Sequence, residues 1–200
     1  MKPLILASAS PRRADLLRQI GLEFAVKKAD IDETLDALRP LPEQLLELAM
    51  RKAWAAAEKR DCLILAADTV VLCDERIMGK PASSEEAREM LCRLSGCCHQ
   101  VTTAVALLDL PAGRSCQALE TTTVWFRELE PEEIESYLAS GEPLDKAGAY
   151  GIQGWGAVFV KKIEGCYFNV VGLPLHRVGS MLRVLGHPVP DWWKAAGSNG

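Results

Sequence analysis

"PLILASASPRRADLLRQIG", residues 3–21, reads as a short apolar strand that turns directly into a helix. Ser10 stands at the helix cap. Pro11 suits the first helical position, where its missing N–H is not needed, and Gly21 suits the end. Leu16, Leu17 and Ile20 recur at helical spacing and mark the inward face. A buried strand that passes at once into an amphipathic helix points to an α/β chain.

The same stretch puts Arg12 and Arg13 in the first helical turn. Unpaired N–H donors and the positive end of the helix dipole gather there, so two cations are mildly unfavourable on their own. They are either solvated surface charge or one wall of an anion site. In the second case a phosphate accepts from the amides and the guanidinium forks together. Ser8 and Ser10 add hydroxyls to the same turn and favour the phosphate.

Beyond it, "EFAVKKA" is a weaker strand that leads into the acidic "DIDET", and a long helix is predicted from Pro42 to Arg60. "CLILAADTVVLC", residues 62–73, is a buried strand broken by one acid, Asp68. "SSEEAREMLCRLSG" carries full helix signals, with Ser at the start, Glu in the first turn and Gly after the end. The middle turns β-rich: "HQVTTAVALLDL" and "CQALETTTVWF" flank "PAGR" as a long hairpin. "PEEIESYLASG" is a short helix, "GEPLDKAGAYGIQGWGA" a glycine-rich loop, "VFVKKIEG" a strand, and "LPLHRVGSMLRVLG" the last helix. From Pro188 no periodic pattern remains. The expected organisation is a single domain over 1–187, in two lobes around a cleft, with a tail over 188–200.

The 200 residues are 48% hydrophobic and 25% charged, as in ordinary soluble domains, and the net charge is -4. That balance gives no electrostatic footprint for nucleic acid, so an anionic ligand must meet a local cluster of cations. No apolar run approaches the roughly 18 residues of a membrane helix, and the five-residue run near the start is too short for a signal-peptide core. A cytoplasmic protein with no nucleic-acid or membrane partner is expected. The seven cysteines form no Cys-x-x-Cys pair and read as buried, reduced thiols. The three histidines, His99, His176 and His187, lack the spacing of zinc ligands.

Four further features bear on chemistry. Lys52 falls in line with Leu45, Leu48, Ala49 and Ala56, where it either snorkels past the core edge or serves a site. Its neighbour Arg51 reads as surface charge. Asp68 lies within an otherwise apolar strand, and a buried carboxylate needs a partner, a metal or strong hydrogen bonds. It is either a structural acid or a group that binds Mg²⁺ or activates water, with Asp30, Asp32 and Glu33 as candidate second ligands. Lys80, in "GKP", sits on a tight turn. In the glycine-rich loop Gln153 offers both a donor and an acceptor to a base edge. Neither G-x-x-x-x-G-K-[ST] nor a G-x-G-x-x-G following a strand is present. The inventory suits a metal-assisted reaction on a nucleoside polyphosphate.

The set "LASASPRR", "DIDE", "AADTVV", "GKP", "LSGCCHQVTTAVAL", "PLDKAGAYGIQG" and "NVVGLPL" resembles the Maf family of nucleoside triphosphate pyrophosphatases, first associated with septum formation. The resemblance runs from about Leu4 to Leu185. It implies a mixed α/β (α+β) fold, an elongated mixed sheet flanked by helices with a central cleft, similar to inosine triphosphate pyrophosphatases. It also implies a divalent metal, Mg²⁺ or Mn²⁺, and allows a homodimer. "DKAGAYGIQG" looks like the dTTP/UTP branch, which cleaves between the α and β phosphates to give the monophosphate and pyrophosphate. That activity fits a role in cleansing the nucleotide pool and in arresting cell division. The alternatives are the 7-methyl-GTP branch and a non-catalytic nucleotide sensor of division. By the same resemblance Asp68 is the proton acceptor and, with Glu33, a metal ligand. Arg12, Thr69 and Gln153 set substrate preference, and Ser10, Arg13, Lys52 and Lys80 hold phosphate.

Overall fold

In the computed structural model, which describes residues 2–57, 61–110 and 112–197, the run after Pro3 forms β1 (Leu4–Leu6) with all three side chains buried. The chain then enters α1 (Pro11–Gln19), with Ser10 at the cap position as expected. Its side chain, however, makes no capping bond. Ser8 Oγ instead accepts from the Ser10 N–H at 3.2 Å, and Pro11 leaves the first turn with one fewer unpaired N–H. At the other end Gly21, with φ +71°, closes a Schellman motif. Its N–H bonds to the Arg18 carbonyl, and the Leu22 N–H bonds back to Leu17. Ala14, Leu16 and Leu17 are buried, while Ile20 reaches only half-burial.

The weak strand shrinks to β2 (Ala25–Val26). α2 (Leu41–Ala55) then buries Leu45, Leu48, Ala49, Lys52 and Ala53 on one face. The helix stops at Ala55, short of the expected Arg60; Ala56 and Ala57 already lie outside it, and residues 58–60 are outside the described residues. β3 (Cys62–Cys73) follows, and a tight turn with positive φ at Asp74 and Glu75 returns the chain as β4 (Arg76–Met78). That hairpin was not legible, because neither turn residue is the glycine or asparagine that a positive φ favours. α3 (Ser84–Leu94) is capped by Ser83 Oγ, which accepts from the Glu86 N–H. β5 (Cys98–Leu110) and β6 (Arg114–Phe126) form the expected long pair. α4 (Pro131–Ala139) opens with a capping box between Glu130 and Glu133. The glycine-rich segment forms three short 3₁₀ turns, Glu142–Asp145, Ala147–Ala149 and Trp155–Phe159. β7 (Val160–Glu164), α5 (Tyr167–Val171) and α6 (Leu175–Val184) complete this part.

Among the described residues seven strands form one mixed sheet in the order β2-β1-β3-β5-β6-β7, with β4 paired to β3. β1 lies parallel to both β2 and β3, whereas β3/β4 and β6/β7 are antiparallel. The fold class is therefore the expected mixed α/β. The chain divides into two compact units. The first comprises the chain up to Asp68, Thr103–Glu120 and the part from Gly172 onward; the second comprises Thr69–Thr102 and Thr121–Val171. β3, β5 and β6 each contribute residues to both. In the second unit Leu91, Leu94, Phe126, Tyr137 and Phe159 share one apolar core. No helix among the described residues is long and apolar enough to cross a membrane.

Two expectations are corrected here. Only Cys62 and Cys73 are buried; Cys92, Cys97 and Cys98 are exposed, and none of the seven is in a disulfide. Cys92 falls on the outer side of α3, and the 97–98 pair sits where the chain enters β5, so neither follows the inward strand pattern. The stretch after Pro188, read as an unpatterned tail, forms α7 (Val189–Gly197). Trp192 is buried there, and Trp193 Nε1 donates to the Ile20 carbonyl at 2.7 Å. Among the described side chains of α7 Trp192 alone is buried, which leaves no periodicity to read. If α7 is part of the folded unit, Trp192→Ala lowers the unfolding free energy by about 3 kcal/mol. Urea denaturation measures this, and an unchanged midpoint contradicts it.

Candidate functional site

Lys52 lies on the buried stripe of α2, and its side chain is only 9% exposed. It does not snorkel outward. Its Nζ bonds Asp68 Oδ1 at 2.5 Å and pairs with Glu33 Oε1 at 2.9 Å. The Asp68 side chain is 13% exposed and Glu33 55%, so one ammonium joins an interior carboxylate to one that reaches solvent. Asp68 sits where the fully buried half of β3 ends, after an unbroken buried run from Cys62 to Ala67.

The loop bearing Glu33 is built locally. Asp32 Oδ1 accepts from the N–H and hydroxyl of Thr34, and the Asp32 carbonyl accepts from Arg51 Nη2 at 3.0 Å. Those Thr34 bonds hold the Asp32 carboxyl below its ordinary value. Arg51, expected to be surface charge, is exposed yet ties α2 to the acidic run. Buried Gln44 secures the following turn by accepting from the Asp36 N–H and donating to the carbonyls of Asp36 and Arg39. Asp30 and Asp32 are exposed, and neither is bonded to Lys52.

Arg13 reaches the same place from α1. Its Nε donates to the Gly172 carbonyl at 2.8 Å, and its Nη1 to the Ala67 carbonyl at 2.8 Å and to Ser8 Oγ at 3.1 Å. Burial lowers its pKa most, Arg12 adds to that, and the carboxylates of Asp68 and Glu33 oppose it. The guanidinium is therefore a fixed positive charge beside Asp68, with at least three donor bonds already made to protein acceptors. Arg12 and Ser10 are half-buried nearby on α1, and Thr69 is half-buried next to Asp68.

Lys80 and Gln153 belong to the second unit, and both are exposed. Lys80 follows Gly79, whose carbonyl accepts from the Gly148 N–H at 3.1 Å, so its turn is bonded to the glycine-rich segment. Gly148 has φ +71°, and a Cβ there would meet Val71 at 3.0 Å, so the sequence can hold only glycine at that crossing without strain. Gln153 stands between Gly151 and Gly154. The chain before it is anchored by Tyr150, whose hydroxyl lies 2.8 Å from His99 Nε2; both rings stack edge-on against Phe126. Sequence reasoning missed this wall. His99 carried no ligand spacing, and its partner is 51 positions away.

The structure thus brings Lys52, Asp68, Glu33 and Arg13 together in the first unit, and links the turns of Lys80 and Gln153 in the second. Among the described residues no group of three or more His, Cys, Asp or Glu is gathered for a metal. Two carboxylates nevertheless suit a small hard cation, which keeps several waters and takes phosphate oxygens for the rest of its shell.

The family model of Maf-like proteins matches residues 3–185. A dTTP/UTP pyrophosphatase of Halalkalibacterium halodurans is 54% identical over 93% of this chain and 97% of its own length. Those of Pelotomaculum thermopropionicum and Moorella thermoacetica are 48% and 50% identical, covering 94% and 93% of this chain and 100% and 96% of theirs. Among solved structures, a HAM1 protein from Coxiella burnetii aligns with a TM-score of 0.46 at 17% identity, over 68% of this chain and 91% of its own. That likeness is too coarse to carry a functional reading.

The His99–Tyr150 pair has a pH signature. Burial drives the His99 imidazole down to about 4, whereas in the unfolded chain it titrates near 6.5. Above about pH 6.5 the ring is neutral in both states. As pH falls toward 4 the unfolded chain binds the proton first, and stability is lost. Between pH 7 and pH 5 the loss is about 2 kcal/mol, and a His99→Gln variant lacks that part of the slope. Urea unfolding across the range reads it, and identical slopes for the two proteins contradict it.

Proposed function

The chain belongs to the Maf family, and on that premise we propose that it is a nucleoside triphosphate pyrophosphatase hydrolysing dTTP and UTP to the nucleoside monophosphate and pyrophosphate. The observation that carries this reading to particular atoms is the Lys52 ammonium between Asp68 and Glu33. An ion triad at the end of a buried strand run, beside a second fixed cation, supplies the opposed charges that hydrolysis of a polyanion uses.

Asp68 is the proton acceptor. Its Oδ1 is held by Lys52, which fixes the direction in which the other carboxylate oxygen faces an incoming water. A water relieved of its proton there attacks the α-phosphorus, and pyrophosphate leaves. Lys52 and Arg13 keep positive charge at that position, where the phosphates accumulate negative charge. Arg13 also sets the position of Asp68 itself, through its bond to the Ala67 carbonyl one residue earlier. Lys80 is assigned to the phosphate tail, Ser10 to the phosphates near α1, and Arg12, Thr69 and Gln153 to the choice of substrate. Asp68 and Glu33 would hold a divalent cation, Mg²⁺ or Mn²⁺. When bound, it would neutralise phosphate charge.

Replacing Asp68 with Asn keeps the shape and the link to Lys52 but removes the base, and kcat for UTP falls at least about 100-fold. Pyrophosphate release measures it, and a variant retaining more than about a tenth of the wild-type rate contradicts the role. Chelation with EDTA abolishes turnover and added Mg²⁺ or Mn²⁺ restores it; full activity in excess chelator contradicts the cation. In parallel assays of dTTP, UTP and 7-methyl-GTP the first two are turned over fastest. A preference for 7-methyl-GTP overturns the substrate reading, and nucleotide binding without product makes the chain a sensor.

A further inference from the structure

Outside the Lys52 centre the glycine-rich segment is folded around another carboxylate, Glu142. Its Oε1 accepts from Tyr137 Oη at 2.8 Å and from the Gly156 N–H at 3.4 Å, and its Oε2 accepts from the Trp155 N–H at 3.0 Å. Tyr137 Oη accepts in turn from the Gly151 N–H at 3.0 Å. Amides on both sides of residues 152–154 therefore end on one carboxylate, directly or through one phenol.

Between those anchors the Gly154 N–H bonds to the Gly151 carbonyl at 3.2 Å, closing a β-turn whose third residue is Gln153. A Cβ at Gly154 would overlap both carboxylate oxygens of Glu142, and one at Gly156 would lie 2.8 Å from Tyr137 Oη. The glycines are what let the chain wrap this closely. Burial alone would push the Glu142 carboxyl up. The Trp155 and Gly156 amides, the Tyr137 hydroxyl and Lys146 outweigh it and hold the group below its ordinary range.

We propose that Glu142 is a positioning residue for substrate choice: by accepting from both flanks of the turn it fixes the crest from which Gln153 meets the pyrimidine edge. The proposal rests on the dTTP/UTP reading above. Uracil and thymine present an acceptor at position 4 and a donor at N3, and cytosine presents the reverse. A glutamine amide carries both partners, so on a loose crest it serves either base. A pinned crest gives it one approach, and the mismatched base leaves polar groups unpaired.

The test compares kcat/KM for UTP and CTP in the wild type, Glu142→Gln, Gln153→Ala and the double variant. Exchange of the Trp155 and Gly156 amides is followed alongside. Gln at position 142 keeps the volume but turns a donor toward donors. The UTP/CTP ratio is expected to fall about 10-fold, chiefly through KM for UTP. The two amides exchange faster, and the double variant is no less selective than Gln153→Ala alone. A wild-type ratio in Glu142→Gln, unchanged exchange, or losses that add in the double variant overturns the proposal. A wild type that does not favour UTP, or a Gln153→Ala variant as selective as wild type, overturns the base reading and the proposal with it. That failure is recognisable because Glu142 is intact in both proteins. If Glu142→Gln does not fold, Gly154→Ala, which forces a Cβ onto the same carboxylate, is expected to reduce the ratio likewise, and a wild-type ratio there overturns the proposal.

Discussion

A lysine ammonium with nine-tenths of its side chain out of solvent must be met by carboxylate, and Lys52 is met by two. Desolvating either member of such a pair is expensive, by several kcal/mol per ion, and only close geometry offsets it. The surroundings supply that geometry from three directions. α2 carries Lys52 inward on its apolar stripe, β3 delivers Asp68 at the end of a fully buried run, and the Asp32–Thr34–Arg51 bonds hold the acidic loop so that Glu33 arrives from the solvent side. Ion triads of this kind are poor sources of stability and good devices for placing charge, which is what a polyphosphate site requires.

Arg13 shows how the same residue serves fold and site together. Its donors reach the Ala67 carbonyl, the Gly172 carbonyl and Ser8, so α1, β3 and the chain entering the last helices are bonded to one guanidinium. The cation thereby stands beside Asp68 without a mobile side chain, and the preorganisation that electrostatic stabilisation needs comes from the fold's own hydrogen bonds. In the second unit the equivalent economy is the glycine-rich segment. There the backbone closes around the Glu142 carboxylate, while Ala149 and Tyr150 of the same segment join the unit's apolar core.

Much of this was legible because local chemistry and spacing agreed. Strand, Ser-Pro and helix signals marked β1 and α1, the helical stripe singled out Lys52, and the acid within "AADTVV" marked Asp68. What stayed hidden depends on distant partners. The Asp74–Glu75 turn has no glycine to announce it, α7 is held by Trp192 and one indole bond, and His99 has meaning only beside Tyr150. Arg51 looked like surface charge because its partner is a backbone carbonyl, which composition does not show. Glu142 was hidden for the same reason: two of its partners are main-chain amides.

The centre built on Lys52 and Asp68 exists, in this account, to drive water onto the α-phosphorus. Hydrolysis of UTP in ¹⁸O-labelled water, with both products weighed by mass spectrometry, tests that directly. One labelled oxygen is expected in the UMP and none in the pyrophosphate. Label in the pyrophosphate with unlabelled UMP places the attack on the β-phosphorus and contradicts it.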